Sequence, residues 1–167
     1  MEQPRGEPAA LVLAPSDLCL TLFMSANKLE EYPVELRDSR NATVLSIGLA
    51  PSAIDYSRYP GLDEATLTAR IEAGENALRA AGFDLVSCQV PADPDAAEAK
   101  LRECAAGSSF RVAMIGAGVR MAPEHTLLFE RLVNVVTEIV PGIRLCFNTS
   151  PETTIDALRR WVQPIES

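Results

Sequence analysis

"RVAMIGAGVRMAPEH", residues 111–125, is the stretch on which the fold turns. An apolar run from Val112 to Ile115 ends in Gly116-Ala117-Gly118, passes Arg120 and reaches Pro123, where a helix is expected to open and run to about Val140. A short run that is apolar on both faces suits a central strand of a parallel sheet, because crossover helices cover such a strand from both sides. "TVLSIGL" (43–49) has the same character, whereas "DLVSCQV" (84–90) alternates, putting Val86, Cys88 and Val90 on one face as in an edge strand. "RLCFN" (144–148) reads as a fourth strand.

Helical segments separate these runs. Leu67, Ile71, Gly74, Leu78 and Ala81 fall on one helical face, with Asp63 placed as N-cap and Gly82 just past the end. Asp93-Pro94 opens a second helix carrying Ala97, Leu101 and Cys104, which Gly107 closes. Ser150-Pro151 opens the last, expected to stop at Pro164. Strand and helix alternating four times imply right-handed parallel crossovers. The fold class is therefore α/β: a single-domain three-layer sandwich whose parallel four-stranded sheet has the order 2-1-3-4, flavodoxin-like or Rossmann-like in outline.

Residues 1–40 read differently. "ALVLA" suits a short strand and "SDLCLTLFMSANKLEE" a short helix ended by Pro33, before the polar linker "RDSRN". They form an N-terminal arm, either partly ordered or laid over an apolar helix, ahead of the α/β domain expected over residues 41–167. The helix after Pro123 offers a face for such cover. Leu128, Leu132, Val135 and Ile139 make one stripe, and Phe129, Val133, Val136 and Val140 a second beside it. Together they exceed what one sheet face needs. The arm or a homodimer contact around Phe129, Val133 and Val136 would bury the excess.

Composition excludes several classes. The 167 residues carry a net charge of −8 and no Lys/Arg run, which disfavours nucleic acid and anionic membrane surfaces. "LCLTLFMSA" is too short to span a bilayer, and the acidic, proline-interrupted stretch before it is unlike a signal peptide. Four scattered cysteines without a C-x-x-C pair, and one histidine, argue against zinc or a disulfide framework. A cytoplasmic protein without a metal site is the expectation, and no pattern specifies a cofactor.

In open parallel sheets, ligands sit beyond the carboxyl ends of the strands, where the strand order reverses. Three loops should meet there: "APSAIDYSRYPG" after the first strand, "GAGVRMAP" after the third and "NTSP" after the fourth. Neither a dinucleotide fingerprint nor a P-loop fits, since Gly116-Ala117-Gly118 follows the third strand and Met121 replaces the last glycine. A phosphate-accepting receiver would want an aspartate where Gly116 stands, and no G-x-S-x-G nucleophile elbow occurs.

What remains is an argument from capping. Asp63, Asp93 and Ser150 can each cap a helix, but Ala122 before Pro123 cannot, so the first amides there would be open to an anion. Gly116, Gly118, Val119 and Arg120 on this turn are candidate ligand contacts, with Asp55, Tyr56 and Arg58 from the first loop and Asn148 and Thr149 from the last. The structural alternative is a tight Gly-x-Gly turn, with Asp55 and the tyrosines serving only the loop.

"IDYSRYPGL", "IGAGVR", "LLFERLVNVV", "CFNTSPETT" and "RRWV" resemble segments of a group of small, mainly bacterial α/β proteins with no established activity. The resemblance spans roughly Thr43 to Val162. It implies a flavodoxin-like or Rossmann-like fold and lends no reaction, substrate or cofactor. Three functional readings follow from the residues. The domain is a binding or regulatory module for a small anion; or a hydrolase- or transferase-like enzyme with Asp55 or His125 as base and the Gly116–Arg120 loop stabilising charge; or an assembly subunit without a ligand.

Overall fold

A computed structural model describes residues 43–162. The expectations for residues 1–40 lie outside that range. Four strands, β1 (Thr43–Leu49), β2 (Asp84–Val90), β3 (Phe110–Ile115) and β4 (Arg144–Phe147), form one sheet in the order β2-β1-β3-β4. Every neighbouring pair is parallel. The α/β fold with sheet order 2-1-3-4 and flavodoxin-like topology follows, with β2 at one edge and the apolar β1 and β3 in the middle.

Two cores sit on opposite faces of this sheet. Leu45, Ile47 and Leu49 of β1 point with Cys88, Val90, Ala113 and Ile115 toward α2 (Pro94–Ala105) and α4 (Thr126–Ile139). Val44, Leu85, Val112, Met114 and Cys146 point the other way, toward Leu78 of α1 (Glu64–Ala80) and Ala157 and Leu158 of α5 (Thr154–Arg159). The caps read from the sequence form where expected. Asp63 accepts the Thr66 amide at 2.7 Å, Asp93 accepts the Ala96 amide at 2.9 Å, and Gly82 and Gly107 take the left-handed φ of +86° and +76° that ends each helix.

The segment after β3 differs from expectation. Instead of one helix opening at Pro123, the chain winds a short helix α3 (Ala117–Arg120) directly from the turn, then a 3-10 turn (Pro123–His125) that leads into α4. Proline causes the break. Its ring disfavours helical backbone at the preceding residue, and Ala122 is accordingly extended, with φ −95° and ψ 124°. The last helix is also shorter than expected. A 3-10 turn (Pro151–Thr153) precedes α5, which ends at Arg159, short of Pro164.

The width of the α4 stripe has a partial answer within the described residues. Val136 is wholly buried in the core, and Phe129 meets the edge of Phe147 with ring centroids 6.0 Å apart. Phe129 and Val133 are only half-buried. No described helix is long and apolar enough to cross a membrane.

Candidate functional site

The two faces of the sheet are not equally filled, and the alternation of side chains explains why. On the α1 face, the layer nearest the strand starts is Leu85, Val44 and Val112, all apolar. The next is Ser87, Ser46, Met114 and Cys146. Two residues further on, at the carboxyl ends, Gln89 pairs with Gly48, and Gly116 and Asn148 continue the alternation from Met114 and Cys146. Large apolar side chains thus give way to two serines and then to two bare glycines. α1 passes over this end of the sheet, and a cavity of about 550 Å³ opens between them.

The roof of the cavity is the apolar face of α1, including Leu67, Ile71 and Leu78. Its floor is Ser46, Gly48, Gln89, Met114, Gly116 and Asn148. The glycines keep the floor low. A Cβ at Gly48 would lie 3.0 Å from Gln89 Oε1, and one at Gly116 would lie 3.4 Å from Ile47 O. At Gly74 the roof comes within 3.4 Å of Pro151 O by the same construction, which closes the side facing α5.

Asn148 ties the rim together. It is 6% exposed, its Oδ1 accepts the Ala117 amide at 2.9 Å, and its Nδ2 donates to Thr154 Oγ1 at 2.7 Å. The Ala117 N–H can only donate, so this contact fixes which way the carboxamide faces. Thr153 Oγ1 in turn accepts the Thr149 amide at 3.0 Å and the Ser150 amide at 3.1 Å. Two ion pairs span the mouth. Arg70 of α1 grips Glu152 with two hydrogen bonds of 2.9 and 3.1 Å, and Arg58 pairs with Glu124. The Arg70 hydrogen bonds, the first of several causes, lower the Glu152 carboxyl to about 2.

Of the residues singled out from the sequence, Asp55, Arg58, Gly116, Gly118, Asn148 and Thr149 line this cavity, and so does His125. Tyr56, Val119 and Arg120 do not. Tyr56 donates its hydroxyl to Pro51 O at 2.8 Å, and burial raises its pKa. Val119 is wholly buried in the core under α4. Arg120 donates Nη2 to Asn148 O at 2.8 Å and lies 5.5 Å from the centre of the Phe147 ring, leaving its Nε buried without a partner. It braces β4 instead of facing a ligand.

Asp55 is also committed to local structure. It caps the 3-10 turn Tyr56–Arg58, accepting from the amide and hydroxyl of Ser57 at 3.1 and 2.6 Å, and these bonds hold its carboxyl below the usual range. The open helix end expected at Pro123 needs correcting as well. Proline has no N–H, and the His125 N–H is taken by Ala122 O at 3.0 Å. The amides that border the hollow belong to the Gly116–Gly118 turn, where Asn148 takes the first of them.

His125 keeps more freedom. Its Nδ1 lies 3.0 Å from Gly118 O, a carbonyl that can only accept, so Nδ1 carries the proton and Nε2 is left without it in the neutral ring. The thiols of Cys88 and Cys146 offer no comparable group. Burial raises both Cys88 and Cys146, the latter to about 12. Among the described residues, no cluster of three or more His, Cys, Asp or Glu side chains could hold a metal ion.

The features that sequence reasoning missed are Ser46, Gln89 and the roof of α1. Their signal was present as Ser46 and Gly48, small residues alternating with the large Leu45, Ile47 and Leu49 in an otherwise apolar strand. No family model, no curated protein and no solved structure matches this chain.

Proposed function

We propose that this domain is a small binding or regulatory module that holds a small organic molecule at the carboxyl ends of β1, β3 and β4. The observation that carries the reading is the cavity itself, about 550 Å³ with an apolar roof and a polar floor. Pockets that enclose metabolite-sized ligands have roughly 300–1,000 Å³ and this same mixture of apolar wall and few polar groups. Its place, beside the point where β1 and β3 send their crossovers to opposite sides, is where open parallel sheets bind ligands.

An anion, expected here from the sequence, would find both arginines of the lining engaged. It would compete with Glu124 for Arg58 and with Glu152 for Arg70. Thermal melting with a panel of metabolites tests the module. At least one should raise the melting temperature of the wild type, and Ser46→Leu, which fills the floor, should abolish the rise while still melting cooperatively. A rise that persists in Ser46→Leu would refute this site.

A second reading is favoured by one contact. The Gly118 carbonyl orients His125 so that Nε2 is an available base on the cavity lining, as a hydrolase- or transferase-like enzyme would need. No activated nucleophile accompanies it on the lining, so water or a second substrate would supply that role. Asp55, spent on its turn, is not a second base. Turnover lost in His125→Gln with ligand affinity retained would support this reading over simple binding.

A further inference from the structure

Resting on the reading of the cavity as a binding site, we infer that its floor receives an uncharged group that both donates and accepts hydrogen bonds, of the carboxamide type. The inference begins with Ser46. This side chain stands on a central strand at the floor, is 7% exposed, and its hydroxyl makes no hydrogen bond with the protein. Diagonally across the β1–β2 pair, two residues beyond its partner Ser87, lies Gln89, whose Nε2 donates to Ser87 Oγ at 3.2 Å while Oε1 is buried with no partner. Buried polar atoms are nearly always paired, and an open one costs free energy that a ligand can recover.

Both groups are neutral and both are versatile. A serine hydroxyl donates or accepts according to its rotation. Turning the Gln89 carboxamide over exchanges an open acceptor for an open donor, because Ser87 can satisfy either end. With the Gln89 carboxamide turned toward the cavity, a ligand group that offers a donor and an acceptor a short distance apart would meet both residues. A carboxylate would need both groups as donors and an ammonium both as acceptors, and each ion would bring a net charge to two neutral partners.

Other polar groups of the floor do not compete. Asn148 and Thr154 satisfy each other and Ala117, so they offer a ligand little. The carboxylates of the cavity lining are engaged as well: Glu75 accepts from Arg79 at 3.2 Å, Glu124 pairs with Arg58, and Asp55 caps its own turn. The apolar roof of Leu67, Ile71 and Leu78 would cover the ligand body attached to the amide. Burying a net charge beneath such a roof without a counter-ion is far more costly than burying a paired amide.

Three probes with one body, 3-phenylpropanamide, 3-phenylpropanoate and 3-phenylpropylammonium, test this by NMR titration on the full chain. The amide should shift the backbone resonances of Ser46, Gly48 and Gln89 and bind at least ~10-fold more tightly than either ion. Ser46→Ala, a change small enough to leave the strand intact, should weaken the amide ~3–10-fold and leave the ions unaffected. Gln89→Glu should reverse the order in favour of the ammonium. If an ion binds at these residues as tightly as the amide, or if Ser46→Ala leaves amide affinity unchanged, the inference fails while the binding site stands. If no probe moves these resonances, the cavity is not a site for such molecules, and the proposed function fails with the inference.

Discussion

Replacing Asn148 with alanine should destabilise the domain more than any other single polar change at the rim. The side chain is 6% exposed and makes two bonds that nothing else supplies, from Ala117 N at 2.9 Å and to Thr154 Oγ1 at 2.7 Å. Each bond contributes on the order of 1 kcal/mol net, and each partner left buried and unpaired costs about 1–3 kcal/mol. Water entering from the adjoining cavity would relieve part of that loss. A destabilisation of about 2–4 kcal/mol results, measured as the change in urea midpoint at constant slope.

The two contacts can be separated. Thr154→Val keeps the shape of that side chain and removes only the acceptor of Nδ2. Combining it with Asn148→Ala should show a coupling of roughly 0.5–2 kcal/mol, because the double variant no longer strands the threonine hydroxyl. Asn148→Asp should fall between wild type and alanine, since a carboxylate still accepts from Ala117 N–H but is buried with a charge. A loss below about 0.5 kcal/mol in Asn148→Ala, or strict additivity with Thr154→Val, would refute the argument that Asn148 joins the β3 turn to α5.

Two further outcomes are expected. Arg70→Met should return the Glu152 carboxyl from about 2 toward the ordinary glutamate range, visible by NMR titration of its side chain. Because the folded value is depressed, the pair stabilises the fold above the unfolded pKa near ~4.3, and that stability is lost as pH falls toward 2. Both side chains are exposed, at 43% and 57%, so the contribution should stay below about 1 kcal/mol. Leu132→Ala, at a wholly buried position of α4, should cost about 2–5 kcal/mol by leaving a cavity in the core opposite the site; denaturant unfolding would measure it, and a cost under 1 kcal/mol would contradict the assigned packing.

Period and punctuation made the fold legible. The apolar run of β1, the alternation of β2, and the caps Asp63 and Asp93 stand in the chain as local patterns, and each formed where it was read. The break at Pro123 was legible in principle, since proline constrains its predecessor whatever the surroundings. Part of the cavity lining could also be read. Asp55, Arg58, Gly116, Gly118, Asn148 and Thr149 lie on loops that a parallel sheet of this order brings to one end.

Where a side chain on such a loop points is another matter. Arg120 turns to the Asn148 carbonyl and the Phe147 ring, 28 and 27 residues away along the chain, a choice that no local pattern encodes. Ser46 and Gln89 become a polar floor only because parallel pairing of β1 with β2 sets Gly48 beside Gln89. By itself the sequence determined the elements, their order and the end of the sheet where a ligand could bind, because these follow from short-range periodicity and chain connectivity. The hollow, its neutral floor and the ion pairs across its mouth were decided by tertiary structure, because each requires side chains from distant segments to meet, and that depends on register and on how α1 rides over the sheet.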